Sequence, residues 1–209
     1  TNEETVEIVE MVLSGSINKD IVNKIHAAGG LAIGLSGKDA KLILANKLTD
    51  KFKDPNSNIE KFLDIGFVGK PIKINPSIIN IISDNLMIPI IAPVGFGANN
   101  ETYNINADTA AGAIASSLKA ERILLLTDVK GVLDSNKKLI SNISVTKAES
   151  MISDKIITGG MIPKIKTCLE TVGSGVKAAV IIDGRSPHAI LREIFTTGGS
   201  GTMIDNNFE

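Results

Sequence analysis

Asn104-Ile-Asn-Ala-Asp-Thr-Ala-Ala-Gly-Ala-Ile-Ala-Ser-Ser-Leu118 is the stretch on which the fold turns. Two asparagines and an aspartate stand at the mouth of a helix. The Asn106 side-chain oxygen can accept from the free N–H groups of a first helical turn. Asp108 falls inside that turn, where the helix dipole favours a negative charge. Alanine and glycine line the rest, so the helix can pack closely against a neighbour. An apolar strand over residues 86–94 precedes it, and an open α/β sheet places its ligand at such a strand-to-helix junction. The same residues also describe an ordinary capped helix, and the stretch by itself leaves both readings open.

On either side, strands and helices alternate. Towards the N-terminus, Val6, Val9, Val12 and Leu13 recur at helical spacing and predict a helix ending near Gly15. A second helix over residues 19–28 stops at Gly29-Gly30. Residues 31–35 read as a strand that Ser36-Gly-Lys-Asp39 turns into a helix. Residues 51–60 are polar and contain a proline, which predicts a surface excursion. Residues 64–68 and 72–74 read as strands, and residues 77–85 as a helix behind Pro76. Towards the C-terminus, the uninterrupted apolar run 122–126 suits a strand buried on both faces of a parallel sheet. A hairpin is expected around 132–133 and 139–140, and a helix over 145–153. A further helix opens at Thr158-Gly-Gly-Met-Ile-Pro-Lys164 and runs to about residue 172. The strand 177–182, the helix 187–195 and a short strand at 202–204 complete the chain. This alternation predicts an α/β fold with a mainly parallel sheet between helix layers.

The composition narrows the function. The 209 residues are 43% hydrophobic and 22% charged, with a formal net charge of −1. That suits one large domain or two small ones. Without a basic run, and with six phenylalanines, one tyrosine and no tryptophan, nothing points to nucleic acid. No apolar run reaches membrane-spanning length and no signal peptide is visible, so a cytoplasmic protein is expected. A single cysteine, Cys168, excludes an intrachain disulfide framework and reads as a small core residue. His26 and His188 stand apart from any metal-ligand pattern and read as structural. Neither a G-x-S-x-G elbow nor an H-E-x-x-H pattern is present.

Three loops fall at strand ends: 95–108, 127–131 and 158–164. In the last, Gly159-Gly160 leaves backbone N–H groups free to approach an anion at a helix start. Pro163 sits in the first turn, where its missing N–H costs nothing. Lys164 adds a point charge one turn in. The spacing is not that of a P-loop, and a glycine turn beside a surface lysine fits equally. In the middle loop, Asp128 follows a buried strand and Gly131 closes the turn; a capping aspartate would look the same. Ser36-Gly-Lys38 reads as a structural glycine turn. The candidate chemistry therefore rests on Asp, Asn, Lys and glycine N–H groups. That set positions and neutralises phosphate with little acid–base work, as phosphoryl transfer requires.

Asn104-Ile-Asn-Ala-Asp108, Leu126-Thr-Asp-Val-Lys-Gly-Val132, Thr158-Gly-Gly-Met-Ile-Pro-Lys164 and Gly201-Thr-Met-Ile204 occur in this order. Together they resemble the amino acid kinase family. Val6-Glu-Ile-Val-Glu-Met-Val-Leu13 and Ile181-Ile-Asp-Gly-Arg185 add to a resemblance that covers essentially the whole chain. It is strongest to members that phosphorylate the side-chain carboxylate of N-acetyl-L-glutamate in arginine biosynthesis. The resemblance implies a three-layer α/β/α sandwich and transfer of the γ-phosphoryl group of ATP, with Mg2+ held mainly by the nucleotide phosphates. It implies that Lys164 and Asp108 are catalytic, Lys164 steadying charge on the transferring group and Asp108 holding the catalytic lysines. Asn104 and Asn106 would bind substrate. Thr127, Asp128, Val129, Gly131, Gly159, Gly160 and Met161 would bind nucleotide. Residues 1–95 would form the substrate and dimerisation side of one domain, and residues 96–209 the nucleotide side. A homodimer or higher homo-oligomer is implied as well.

The mechanism agrees with the residues. A glutamate-type carboxyl has a pKa of about 4.3, so the acceptor is already ionised at neutral pH and needs no general base. One departure stands out. The family's first βα unit, with its Lys-x-Gly-Gly motif, and its substrate-gripping arginine precede the position where Thr1-Asn-Glu-Glu-Thr5 opens this chain. A kinase lacking its N-terminal segment, weak or inactive by itself, is therefore expected. Arginine-inhibited members of the family use an extra N-terminal helix and a pocket near the C-terminus, for which Glu193 and Gly199 are candidates. Another carboxylate or carbamate kinase of this fold, or a non-catalytic nucleotide-binding or dimerising remnant, is the alternative. A nicotinamide-dependent oxidoreductase is a weaker one, because the G-x-G-x-x-G fingerprint is absent.

Overall fold

The computed structural model describes residues 1–53 and 60–205. The chain divides into two compact units, Thr1–Ala110 and Ala111–Glu209.

The first unit opens with α1 (Glu3–Glu10), a π-helical stretch Met11–Ile17 and α2 (Asn18–Ala27). The Asn2 side chain caps α1 by accepting from the Thr5 N–H at 2.9 Å. The helix does not end near Gly15 as expected. A lone glycine costs a helix only about 1 kcal/mol, and here the backbone accommodates it by widening into π geometry. The stop comes instead at Gly29, whose φ of +87° a side chain rarely adopts. Asn18, 2% exposed, donates to Leu35 O at 3.1 Å and Ile90 O at 2.8 Å, and so pins the helix to two strands.

Those strands, β1 (Ala32–Ser36) and β4 (Ile88–Ala92), pair in parallel. After β1 the expected helix is only a 3-10 turn, Asp39–Lys41. The Asp39 carboxylate takes both the Ser36 N–H and its hydroxyl, which closes the turn on itself. Next come β2 (Ile43–Lys53) and β3 (Glu60–Ile74), a long antiparallel pair. With β5 (Val94–Phe96) and β6 (Thr102–Ile105) they form a small closed barrel.

Residues 64–68 and 72–74 are thus one strand. The predicted excursion at 51–60 is partly strand, with Lys53 opposite Glu60, while residues 54–59 lie outside the described residues. An antiparallel pair with one wet face needs no apolar run, which is why composition hid it. The helix α3 (Ser77–Asp84) follows Pro76 as predicted. The single strand expected over 86–94 is divided between β4 and β5 at Pro93, which has no N–H to give a ladder.

The division between units falls within α4 (Ala107–Leu118). The second unit then runs β7 (Arg122–Thr127), β8 (Asn142–Ser144), α5 (Val145–Ser153), α6 (Met161–Gly173), β9 (Ala178–Asp183), α7 (Ala189–Phe195) and β10 (Gly201–Asp205). The expected hairpin around 132–140 reduces to one bridge, Leu133 to Leu139. The sheet order is β7-β9-β10-β8, with β7 parallel to β9, β10 antiparallel to β9 and parallel to β8.

Alternation along β9 builds both faces of this sheet. Ala179 and Ile181 join Ile123, Leu125 and Ile204 against Ala115, Met151, Ile165, Cys168 and Val172. On the other face, Val180 and Ile182 meet Ala189 of α7. Each such fully buried isoleucine contributes about 1.5–3 kcal/mol. Cys168 is the core residue expected. The close approach predicted for α4 is met by α6: a Cβ on Gly112 would stand 2.7 Å from Thr171 Oγ1. One expectation fails here. Strand β7 is not buried on both faces throughout, since Leu126 is 48% exposed at its carboxyl end. Gly184, its neighbour across the strands, has no side chain to cover it.

Candidate functional site

In the first unit the candidate residues cluster where β6 runs into α4. Register places Asn104 opposite Val94 of β5 and Val68 of β3. It is half-buried, and among the described residues its side-chain amide makes no hydrogen bond. Asn106 performs the predicted cap: its side-chain oxygen accepts from the Thr109 N–H at 3.1 Å and lies 3.3 Å from the Thr109 hydroxyl. That oxygen is therefore engaged, and the exposed amide NH2 is what Asn106 has left for a ligand. Asp108, half-buried, lies in the first turn of α4, where its charge complements the helix dipole.

In the second unit the candidates lie at the carboxyl edge of the sheet. Thr127 ends β7 opposite Asp183 of β9. Its hydroxyl accepts from the Val129 N–H at 2.9 Å, and its carbonyl from the Gly184 N–H at 2.8 Å, so the chain turns sharply there. Asp128 and Val129 are exposed on this turn. Gly131 has φ +133°, and a Cβ there would lie 2.6 Å from Thr202 Oγ1 and 2.8 Å from Leu139 Cδ1. Thr202 is completely buried on β10. Its hydroxyl accepts from the Val132 N–H at 2.8 Å and donates to Ile140 O at 2.7 Å.

Gly159, Gly160 and Met161 form the entrance of α6. Gly159 has φ +57°, which favours glycine. Gly160 has an ordinary φ of −65°, and no atom comes within 4 Å of a Cβ at either glycine. The helix has no side-chain cap. The Met161 and Ile162 N–H groups turn back onto Thr158 O at 3.4 Å and Gly159 O at 3.2 Å, and Pro163 has none. The N–H groups of Gly159 and Gly160 are therefore the ones without a partner among the described residues, with the positive end of the helix dipole behind them. Lys164 follows one turn in, half-buried. At about 20 Å, α6 matches β9 in length and joins it through a short connection, so its entrance comes level with the carboxyl end of β9.

Asp183 and Arg185 stand at that end. Two parallel bonds, Nε to Oδ1 at 2.9 Å and Nη2 to Oδ2 at 3.0 Å, lock the pair, and the Arg185 N–H adds a third at 3.0 Å. The hydrogen bonds from Arg185 hold the Asp183 carboxyl down at about 2, and the carboxylate in turn raises the guanidinium. Sequence reasoning quoted this pair and Thr202 only as parts of motifs and gave them no role. An acidic residue two before a basic one, just past a buried strand, was the available signal for the pair. Nothing local marks which groups the threonine grips.

The structure also brings Glu193 and Gly199 together. A cavity of about 210 Å³ is lined by Arg122, Asn142, Glu193, Thr197, Gly199 and Met203 among others. Glu193 is 5% exposed, accepts from the Ser200 N–H at 2.8 Å and lies 3.6 Å from Arg122. His26 Nε2 lies 3.1 Å from Ala32 O and 3.2 Å from Ala32 N, and the exposed His188 precedes α7 with φ +55°. Among the described residues, no three His, Cys, Asp or Glu side chains gather as a metal-holding group. No helix among them is long and apolar enough to cross a membrane.

Comparison with known proteins follows the same lines. A profile of the amino acid kinase family matches residues 1–183. Acetylglutamate kinase of Rhodospirillum centenum is 60% identical over 204 residues, 98% of this chain and 67% of that protein. The chain thus spans about two thirds of that relative's length. Among solved structures, smu.665 from Streptococcus mutans superimposes with a TM-score of 0.77 at 30% identity, over 99% of this chain and 74% of that one. N-acetylglutamate synthase from Neisseria gonorrhoeae, complexed with coenzyme A and N-acetyl-glutamate, gives a TM-score of 0.83 at 20% identity. That match covers 100% of this chain and 45% of the synthase, and bears on the fold alone.

Proposed function

Because the chain belongs to the amino acid kinase family, we propose that it serves the ATP-dependent phosphorylation of N-acetyl-L-glutamate. The product is an acyl phosphate on the side-chain carboxylate, a phosphotransferase reaction of arginine biosynthesis. The single observation that carries the acceptor is the 60% identity to an acetylglutamate kinase over 98% of the chain.

The geometry supports a division of labour. The β6–α4 junction, with Asn104, Asn106 and Asp108, is the acceptor side. The Thr127–Gly131 turn and the Gly159–Met161 entrance of α6 are the nucleotide side. An ionised carboxylate needs no base to attack, so the barrier lies in bringing an anion to a polyanion. The unpartnered N–H groups of Gly159 and Gly160 and the charge of Lys164 are suited to phosphate. Mg2+ is brought as MgATP, its charge offsetting the phosphates, with phosphate oxygens as its main ligands. Asp108 is proposed to hold catalytic cations in place. The cytoplasm is the proposed compartment, consistent with a chain that has one cysteine.

Hydroxylamine trapping of acyl phosphate tests the reaction, with N-acetylglutamate, glutamate, aspartate and carbamate offered in parallel. Signal with carbamate or aspartate and none with N-acetylglutamate would overturn the acceptor. The family's Lys-x-Gly-Gly lysine and substrate arginine are not among these 209 residues. Turnover by them alone is therefore expected to be about 100- to 1000-fold below that of a complete kinase.

A homodimer is also proposed. Ile8, Met11, Val12, Ile17 and Ile21 are all 40% exposed or more along the helix of the first unit. Among them Gly15 presents a flat backbone that a second copy's helix can approach. The mass of the chain in solution checks this, and Met11→Glu should return it to that of a monomer.

A further inference from the structure

Thr202 lies in the Gly201-Thr-Met-Ile204 motif, to which the reaction assigns no part. Its place in the structure is specific. It is completely buried, on β10, the strand that pairs antiparallel with β9. Its hydroxyl spends both functions on the segment beyond the Thr127–Gly131 turn, accepting from the Val132 N–H at 2.8 Å and donating to Ile140 O at 2.7 Å. Those two groups belong to the two legs that the Val132–Ile140 backbone bond closes at 2.9 Å. Gly131 is fitted to the same oxygen, since a Cβ there would come within 2.6 Å of it. At its other end the turn is tied to β7 by the Thr127 hydroxyl on the Val129 N–H. The turn is thus anchored on both sides, and between the anchors the side chains of Asp128, Val129 and Lys130 are exposed.

We propose that Thr202 is a positioning residue for the nucleotide: it fixes the conformation of the 127–131 turn through Val132 and Gly131, and touches no ligand itself. A valine of nearly the same shape would leave a buried N–H and a part-buried C=O without their partner. The backbone at Gly131 then loses its reference point, and the turn samples conformations that do not fit the nucleotide. Nucleotide affinity falls by the fraction of time the competent conformation is lost. The inference rests on the reading of this turn as part of the nucleotide site.

The test is MgATP binding by calorimetry on the 209-residue chain and three variants, with thermal midpoints measured alongside. Thr202→Val should bind on the order of tenfold more weakly, the equivalent of one lost hydrogen bond. Thr202→Ser keeps the hydroxyl and should bind within about twofold of the parent. Val180→Ala removes packing from the opposite face of the same sheet and should lower the midpoint with affinity unchanged. Hydrogen exchange at the Val132 amide should accelerate in the valine variant and not in the serine one. A folded Thr202→Val chain that binds MgATP as tightly as the parent overturns the proposal, as does equal weakening by Val180→Ala. A parent that binds no MgATP overturns the nucleotide assignment and this inference with it, which separates the two failures.

Discussion

Gly131 and Gly160 both stand at the carboxyl edge of one sheet, and they are glycines for opposite reasons. At Gly131 the protein itself forbids a side chain: the backbone has φ +133°, and Thr202 and Leu139 occupy the space. At Gly160 nothing forbids one. The backbone angle is ordinary and the space above it is empty of protein. A glycine demanded by packing explains itself. A glycine that no part of the chain demands, at an uncapped helix entrance, is what close approach by an anion requires. The first kind positions a loop and the second leaves room for a ligand.

The largest effect that sharpens this contrast belongs to Lys164, one turn behind Gly160. If phosphate sits at that entrance, the lysine meets charge that grows during transfer. In a complete, active kinase carrying this sequence, Lys164→Ala should lower kcat by about 100- to 1000-fold. Far-UV dichroism and the thermal midpoint should stay close to the parent's. A loss below about tenfold would move the transferring group away from α6.

The glycines themselves come next. Gly160→Ala should leave the midpoint nearly unchanged, a change of about 0.5 kcal/mol or less, while weakening MgATP binding roughly tenfold. Gly131→Ala should do the reverse first: it should cost about 1–3 kcal/mol of stability, and any loss of affinity should follow from the displaced turn. If both variants lose stability alike, the distinction between a packed and a vacant glycine is broken.

How far these features could be read in advance depended on how local their causes are. The strands 122–127 and 178–183 and the helices around them were legible because both sheet faces bury apolar side chains, and runs of such residues show. The long β2–β3 pair was not legible, since its apolar residues are interleaved with charged and polar ones and broken by Gly66, Gly69 and Pro71, and its stability comes from pairing across the hairpin. Gly15 misled for a related reason: glycine signals a stop, but the helix continued through it with π geometry, beside an Asn18 anchored on two strands. In the site, the Asn106 cap, the glycine entrance to α6 and the turn after β7 follow from spacing. The Thr202 clasp does not, because its hydrogen bond to Val132 spans 70 positions and a threonine in a strand looks like any other. The exposed Leu126 went unseen too, since its apolar run gives no hint that Gly184 would leave it open.

The Asp183–Arg185 pair offers the smallest effect and a test from pH. It lies at the same edge as the two glycines, and it asks whether that edge is held by charge as well as by backbone shape. The guanidinium's hydrogen bonds hold the Asp183 carboxyl at about 2, below its ordinary 3.8. A carboxyl whose folded value is depressed binds fewer protons when folded than when unfolded. Its contribution to stability is therefore complete above about pH 4 and is lost as the pH falls towards 2. Arg185→Ala should remove that dependence: the midpoint difference between parent and variant should be largest near neutral pH and shrink across this window. Most of the pair's gain is screened because the arginine is exposed, so the difference should be small. At neutral pH the variant's affinity for MgATP separates two outcomes. Unchanged affinity confines the pair to the turn after β9, whereas weaker binding with an unaltered midpoint extends the nucleotide side from Gly160 across to β9.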